Sequence, residues 1–273
     1  MKDKAVVSGK LALTFAKRRE KTRLVDCFQA PPLKASRTLY PEGDDQATVY
    51  LVETSGGLVA GDLNEYEVKL EEGARVCLIP QSATKVYPSY NEQTSKQKIT
   101  ITLEENTFLE WNKEEIIPFE QARYEGSTLV RMKDTSTFLF AEIIYPGREK
   151  RGESFRYNML STQLQIWVEA NCYVYDPLKI SPKKTKIKKI GLLEGFMYIA
   201  SVWIITPQLE WTEEQLQALL SNEEKSHLVG VTNLKNNGLL VRWISSNLPK
   251  IKKEIEQVFY KVKERMQVEE NGE

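Results

Sequence analysis

The feature that excludes most folds is the spacing of the strand-forming runs. Residues 48–52, 66–70, 75–79, 98–103, 138–145, 163–170, 173–175, 196–205 and 239–244 are rich in Val, Ile, Thr, Tyr, Phe or Trp. Each is bounded by Gly, Pro, Asn or charged turns, the pattern of short strands. In 66–70 the alternation is plain, because Tyr66, Val68 and Leu70 interleave with Glu67 and Lys69. That period of two buries one face of a strand. A parallel α/β fold requires a crossover helix between successive strands, and few helical patterns lie between these runs. The spacing therefore predicts a mainly β, layered fold.

Two helices are expected in the C-terminal region, near 212–222 and 248–267. Thr212 and Gln215 form a capping box at the start of the first. The second carries Pro249 in its first turn, with Ile251, Ile255, Val258, Phe259, Val262 and Met266 along one face. The tail over 268–273 is polar and expected to fray. No internal repeat or long linker is visible, so the chain reads as one domain over 1–273.

Its 38 basic and 38 acidic residues cancel, which argues against a long-range field for nucleic acid or an anionic membrane. A chain without net charge is prone to association, so protein partners are expected. The N-terminus has no apolar core of a secretory signal, and no run approaches the roughly 18 apolar residues of a membrane span. Cys27, Cys77 and Cys172 are odd in number and widely spaced. Reduced thiols in the cytoplasm fit better than a disulfide framework.

Conventional catalysis has few parts here. The single histidine, His227, sits in the polar stretch SNEEKSHLVG and reads as a surface or loop residue. Cys77 and Cys172 lie in strand patterns and read as small buried hydrophobes. The glycine-rich SGGLVAGD, 55–62, holds Gly56, Gly57 and Gly61. A strand pattern follows it instead of a helix, so it reads as a turn and not as a phosphate cradle. The lysines of LKISPKKTKIKKIG, residues 179–189, have no interleaved aromatics and read as a solvated edge.

Carboxylates remain. Asp62 follows the glycine turn, Glu110 precedes Trp111, Glu153 follows Gly152, and Glu142 lies inside the apolar strand FLFAEIIY. Alternation places Glu142 on one face with Phe140 and Ile144, opposite Ala141 and Ile143. A charge there needs a partner or a solvated cavity. Two readings stay open: a buried ion pair with Arg148 or Arg151, or a carboxylate lining an internal passage for a cation or water. A carboxylate pair also leaves room for a glycoside hydrolase on an all-β fold, and a β-rich interaction module without a metal role is a third possibility.

Four stretches occur in order: SGGLVAGD (55–62), IPQSATKVYPS (79–89), LEWNKEEIIPFEQA (109–122) and GREKRGESF (147–155). With GKLALTF (9–15) before them and VTNLKNNGLLVRWI (231–244) after, they resemble the urease accessory protein UreD (UreH) family. Asn112 and Lys113 stand where that family usually has Leu-Pro, and Pro88 where it often has a basic residue. The resemblance implies a β-helix-like arrangement of many strands with two helices, and a maturation factor that is not an enzyme. It implies binding to apo-urease and to UreF, which recruits the GTPase UreG, in a hetero-oligomer. It also implies transient nickel without a permanent cofactor. Asp62, Glu142 and Glu153 match acidic motif positions and are candidates for lining a nickel passage, with Arg148 as a neutralising partner. Thr84, Lys85 and Tyr87 match a further motif of packing or interface character.

Overall fold

Strands of two facing sheets carry the chain forward where an α/β fold would use helices. The structure, a computed structural model, describes residues 8–43, 45–90, 92–185, 187, 189, 192–207, 212–220, 225–234 and 238–270, the side chains of 265–270 excepted. Among them, the first sheet runs in the order β13 (Asn171–Ile180), β12 (Met159–Val168), β10 (Arg123–Met132), β8 (Ser95–Leu103), β5 (Leu63–Leu70), β1 (Ser8–Arg18) and β2 (Lys21–Ala30). The second runs β15 (His227–Leu234), β16 (Gly238–Ser245), β14 (Tyr198–Ile205), β11 (Thr137–Ile144), β9 (Phe108–Pro118), β6 (Arg75–Pro80), β4 (Gln46–Glu53) and β3 (Leu33–Ala35). A short β7 (Thr84–Val86) also pairs with β9.

From β4 to β12 successive strands alternate between the sheets, apart from β6 and β7, so the chain winds as a solenoid. Neighbours from successive windings are parallel: β5, β8, β10 and β12 in the first sheet, β4, β6, β9 and β11 in the second. Antiparallel hairpins such as β1–β2, β12–β13 and β15–β16 lie toward the ends. The mainly β, β-helix-like expectation is met.

Leu13, Phe15, Val49, Leu78, Trp111, Phe140 and Trp203 fill the space between the sheets. The outer face of the second sheet carries α1 (Glu213–Leu220) and α2 (Leu248–Glu270). There Leu139, Ala141, Ile143, Val202 and Val241 meet Leu216, Ile251, Ile255, Val258 and Phe259. Strands β11 and β14 are thus covered on both faces, which is why their sequences are nearly continuous apolar runs. The capping box forms, with Thr212 N donating to Gln215 Oε1 and Gln215 N to Thr212 Oγ1, both at 3.2 Å. Helix α2 is capped by Asn247, whose Oδ1 accepts Lys250 N at 3.1 Å. It continues to Glu270, past the expected end at 267. The Met266 side chain, residues 221–222 at the expected end of the first helix, residues 186 and 188 of the lysine run, and residues 271–273 lie outside the described set.

The 55–62 segment is the expected inter-strand turn, between β4 and β5, with positive φ at Gly56, Gly57 and Gly61. At Gly57 a Cβ would stand 2.4 Å from the Lys85 carbonyl oxygen, so only glycine fits. The described lysines at 179, 183, 184 and 189 are exposed at or just beyond edge strand β13, as a solvated edge requires.

Two expectations fail. His227 is buried and not in a surface turn, because it is the first residue of β15 and lies beneath α2. Its Nδ1 is 2.8 Å from Ser245 Oγ and its Nε2 is 2.9 Å from Glu254 Oε2, which also accepts Trp243 Nε1 at 2.6 Å. Both ring nitrogens have partners, so the ring is held under the helix. Cys172 is exposed, since β13 is an edge strand, whereas Cys77 is buried as expected and burial pushes its thiol upward.

Candidate functional site

Strand register collects polar residues that are far apart in sequence. In the second sheet Glu114 on β9 stands beside Glu142 on β11, Glu142 beside Ser201 on β14, and Ser201 beside Arg242 on β16. In the first sheet the parallel register aligns Asn64, Gln97, Gly126 and Thr162 on β5, β8, β10 and β12. Two hydrogen bonds join the rows across the gap. Gln97 Nε2 donates to Glu114 Oε1 at 3.1 Å and Thr162 Oγ1 donates to Glu142 Oε1 at 3.2 Å. A polar layer therefore crosses the inter-sheet core at right angles to the strands.

A cavity of about 280 Å³ opens within this layer, with Gln97, Glu114, Glu142, Thr162, Ser201 and Arg242 in its wall. Phe140 and Trp203 close it on the side of the main apolar core, and Ile116, Ile144 and Ile180 on the other. The expected partition of β11 holds. Phe140, Glu142 and Ile144 face the cavity, while Leu139, Ala141 and Ile143 face the helices.

A β-bulge aims Glu114 inward. Trp111 pairs with Phe140 and Glu114 with Glu142, so two β9 residues, Asn112 and Lys113, oppose Ala141 alone. Unbroken alternation would set Glu114 and Trp111 on opposite faces. The bulge, with Lys113 at φ +38°, returns both to the interior, and Trp111 Nε1 donates to Glu114 Oε2 at 3.3 Å. Lys113 turns outward to Glu256 on α2, at 2.5 Å. Glu114 was missed by the sequence reading; the break in alternation at Asn112–Lys113 is the only local signal of it.

The two carboxyls differ in their surroundings. Glu114 accepts from Gln97, Trp111 and Thr84 Oγ1, the last at 2.8 Å, yet burial still holds its proton affinity above the usual range. Glu142 has Thr162 as its donor and is pushed up to about 8, first by burial and further by the charge of Glu114. It is reached through the cavity although protein surrounds it. The Tyr124 phenol belongs to the same wall, and a Cβ on Gly126 would come within 2.9 Å of its oxygen. Burial raises that phenol well above its ordinary range, so it stays a neutral donor.

The other anticipated residues stand apart from the cavity. Asp62 is buried at the start of β5, where its Oδ2 accepts Val59 N at 2.9 Å and closes the glycine turn. Glu153 takes two hydrogen bonds from Arg148, one from Nε at 2.7 Å, and accepts Glu120 N at 3.3 Å. Arg148 thereby holds the Glu153 carboxyl below its ordinary value and also covers the Phe119 ring, 4.0 Å from its centroid. Arg148 is committed to Glu153, so it does not supply the ion pair envisaged for Glu142. Glu110 faces α2 and pairs with Lys263 at 3.0 Å. Thr84 reaches the site through Glu114, whereas the Lys85 carbonyl and the Tyr87 ring pack on Gly57. Among the described residues, no group of three or more His, Cys, Asp or Glu side chains is placed to hold a metal ion.

The family model for the UreD urease accessory protein matches residues 7–270. The chain belongs to the UreD urease accessory protein family. The urease accessory protein UreD of Sporosarcina pasteurii is 44% identical over 250 residues, which is 90% of this chain and 97% of the relative. That of Lysinibacillus sphaericus is 42% identical over 252 residues, covering 92% and 94%. That of Halalkalibacterium halodurans is 39% identical over 240 residues, 88% of each chain. UreD proteins are accessory factors and not catalysts, so the glycoside hydrolase alternative falls away. No helix among the described residues is long and apolar enough to cross a membrane.

Proposed function

We propose that this UreD chain is a urease maturation factor that binds apo-urease and, as a hetero-oligomer with UreF, joins an assembly containing UreG in the cytoplasm. Nickel is its cargo and not a resident cofactor, and the polar layer between the sheets is the path the ion takes. The observation that carries this reading is the register pairing of Glu142 with Glu114 in an internal cavity.

Carboxylate oxygens hold a borderline cation less tightly than thiolates or imidazoles do. A Glu142 carboxyl with a value of about 8 keeps its proton near neutral pH when the cavity is empty. Nickel must displace that proton, which lowers net affinity and favours release over storage. Six waters at their liquid share of about 30 Å³ each occupy roughly 180 Å³, less than the cavity's 280 Å³. The space thus suits a cation that keeps its hydration shell. Asp62 and Glu153 are left out of the path because they do not line the cavity.

The test is urease activity in a urease-producing cell lacking this chain, with urease subunit levels followed in parallel. Normal subunit levels, lost activity and recovery with the wild-type chain are expected, and recovery with Glu142→Gln is expected to be poor. Unchanged activity after deletion refutes the maturation role. Full recovery with Glu142→Gln refutes the path.

A further inference from the structure

We propose that Arg242 controls entry at the exposed edge of this cavity, as a tethered counter-cation that an incoming divalent ion must displace. The inference rests on the reading of the cavity as a cation path and adds how entry is controlled.

Arg242 is the outermost charged member of the Glu114–Glu142–Ser201–Arg242 row. Its side chain is 42% exposed while its guanidinium reaches into the cavity wall. Two partners from different sheets hold it. Nε donates to Ser201 Oγ at 3.1 Å, and Nη2 donates to the carboxylate of Asp176 on β13, across the gap between the sheets. Ser201 is the register neighbour of Glu142, so Arg242 stands two strands from Glu142 and its guanidinium reaches back to the strand between them. It is close enough for its charge to favour ionisation of Glu142.

A positive charge at the exposed edge of the cavity repels any cation approaching the carboxylates, and does so more strongly where solvent is scarce. It also balances the acidic interior when no ion is present, so the empty cavity does not need to recruit cations indiscriminately. The cavity wall also carries a polar atom with no partner from the protein. The indole Nε1 of Trp203, in the cavity wall and buried, has no hydrogen-bond partner. An N–H donor of this kind requires an oxygen, which a water in the cavity supplies, whether free or bound to a cation.

The experiment measures binding of nickel ion alone to the full-length chain by equilibrium dialysis at pH 7.5, for wild type, Arg242→Gln, Arg242→Lys and Glu142→Gln. A nearby charge shifts a carboxylate's affinity for a proton by about tenfold or more, and a divalent ion feels the lost repulsion twice over, so removing Arg242 favours nickel more than it favours the competing proton. Arg242→Gln is therefore expected to tighten nickel binding by about tenfold or more, Arg242→Lys to stay within about threefold of wild type, and Glu142→Gln to abolish binding in the cavity. If Arg242→Gln does not fold, Arg242→Met, apolar and of similar length, takes its place with the same expectation. Loss of binding in Glu142→Gln with no tightening in Arg242→Gln overturns the gate and leaves the cavity reading standing. Equal tightening in Arg242→Lys also overturns it, because the retained charge then has no effect. Nickel binding unaffected by Glu142→Gln overturns the cavity reading itself, and the gate falls with it.

Discussion

Replacing Glu142 by Gln keeps the shape of the cavity wall and removes its titration. The folded carboxyl has a value of about 8 against an ordinary 4.5, so the folded state binds this proton more tightly than the unfolded chain does. For a group shifted in that direction, the favourable contribution is complete below about pH 4.5 and is lost as pH rises through about 8. At about 1.4 kcal/mol for each tenfold change in proton affinity, the full loss is on the order of 5 kcal/mol. This is an upper bound, because solvent reaches the carboxylate through the cavity. Urea denaturation of the full-length chain at half-unit steps from pH 5 to pH 9 reads this directly. Wild-type stability is expected to fall relative to Glu142→Gln from pH 5 to about pH 8, and the difference between the two curves is expected to level off above that. Glu114 carries the same sign of shift and remains in both proteins, which is why the difference between them is the informative quantity. Parallel curves for wild type and variant would refute the assignment of Glu142 as a buried, proton-retaining acid.

Gly57→Ala is expected to cost about 1–3 kcal/mol from left-handed backbone strain alone, and more from the 2.4 Å approach to the Lys85 carbonyl oxygen. Gly56→Ala, where a Cβ meets nothing within 4 Å, is expected to cost less, and equal costs by urea denaturation would contradict the close-approach argument. His227→Ala removes the group that joins Ser245 to Glu254 and is expected to cost about 2–4 kcal/mol through unpaired buried polar atoms. Amide exchange within 251–259 should accelerate more than exchange in β5 and β8, and uniform acceleration would argue against a local clamp on α2. A double-mutant cycle of Arg148→Met with Glu153→Gln is expected to give a coupling of about 1–3 kcal/mol, as for a hydrogen-bonded, partly buried ion pair. Coupling near zero would mean the pair does not hold the 147–153 turn.

The strands that were legible have one wet face or an uninterrupted apolar run. β5 alternates cleanly because its outer face meets solvent, and β11 and β14 are continuous because helices cover their outer faces. Strands β1, β2, β3, β7, β9, β10 and β15 were not singled out. In β2 most side chains are exposed at a sheet edge, so no buried face imprints a period on it. In β9 the bulge at Asn112–Lys113 breaks the period at the point that matters for the site. Glu142 was legible because a lone carboxylate within an apolar run violates the burial rule. Its partners Glu114, Gln97, Ser201 and Arg242 were not, since each is an ordinary polar residue until register places it. His227 was misread for a related reason. The polarity of SNEEKSH belongs to the loop, while the histidine is already the first residue of the strand beneath α2.

Register also explains why this fold makes a path of the observed orientation. In a solenoid of parallel strands each winding sets its residue beside the equivalent residue of the next, so a polar position repeated over several windings becomes a row along the axis. A single polar group in the inter-sheet core is costly, but adjacent rows supply one another with donors and acceptors, as Gln97 does for Glu114 and Thr162 for Glu142. The apolar layers on either side confine solvent to that one level. Arg242 stands where the row reaches the outer strands of the second sheet, and beyond it the register position on β15 is Gly230, which carries no side chain to close the end. The same geometry that makes the layer affordable thus leaves one end accessible, and it places on β16 a charge able to guard that end.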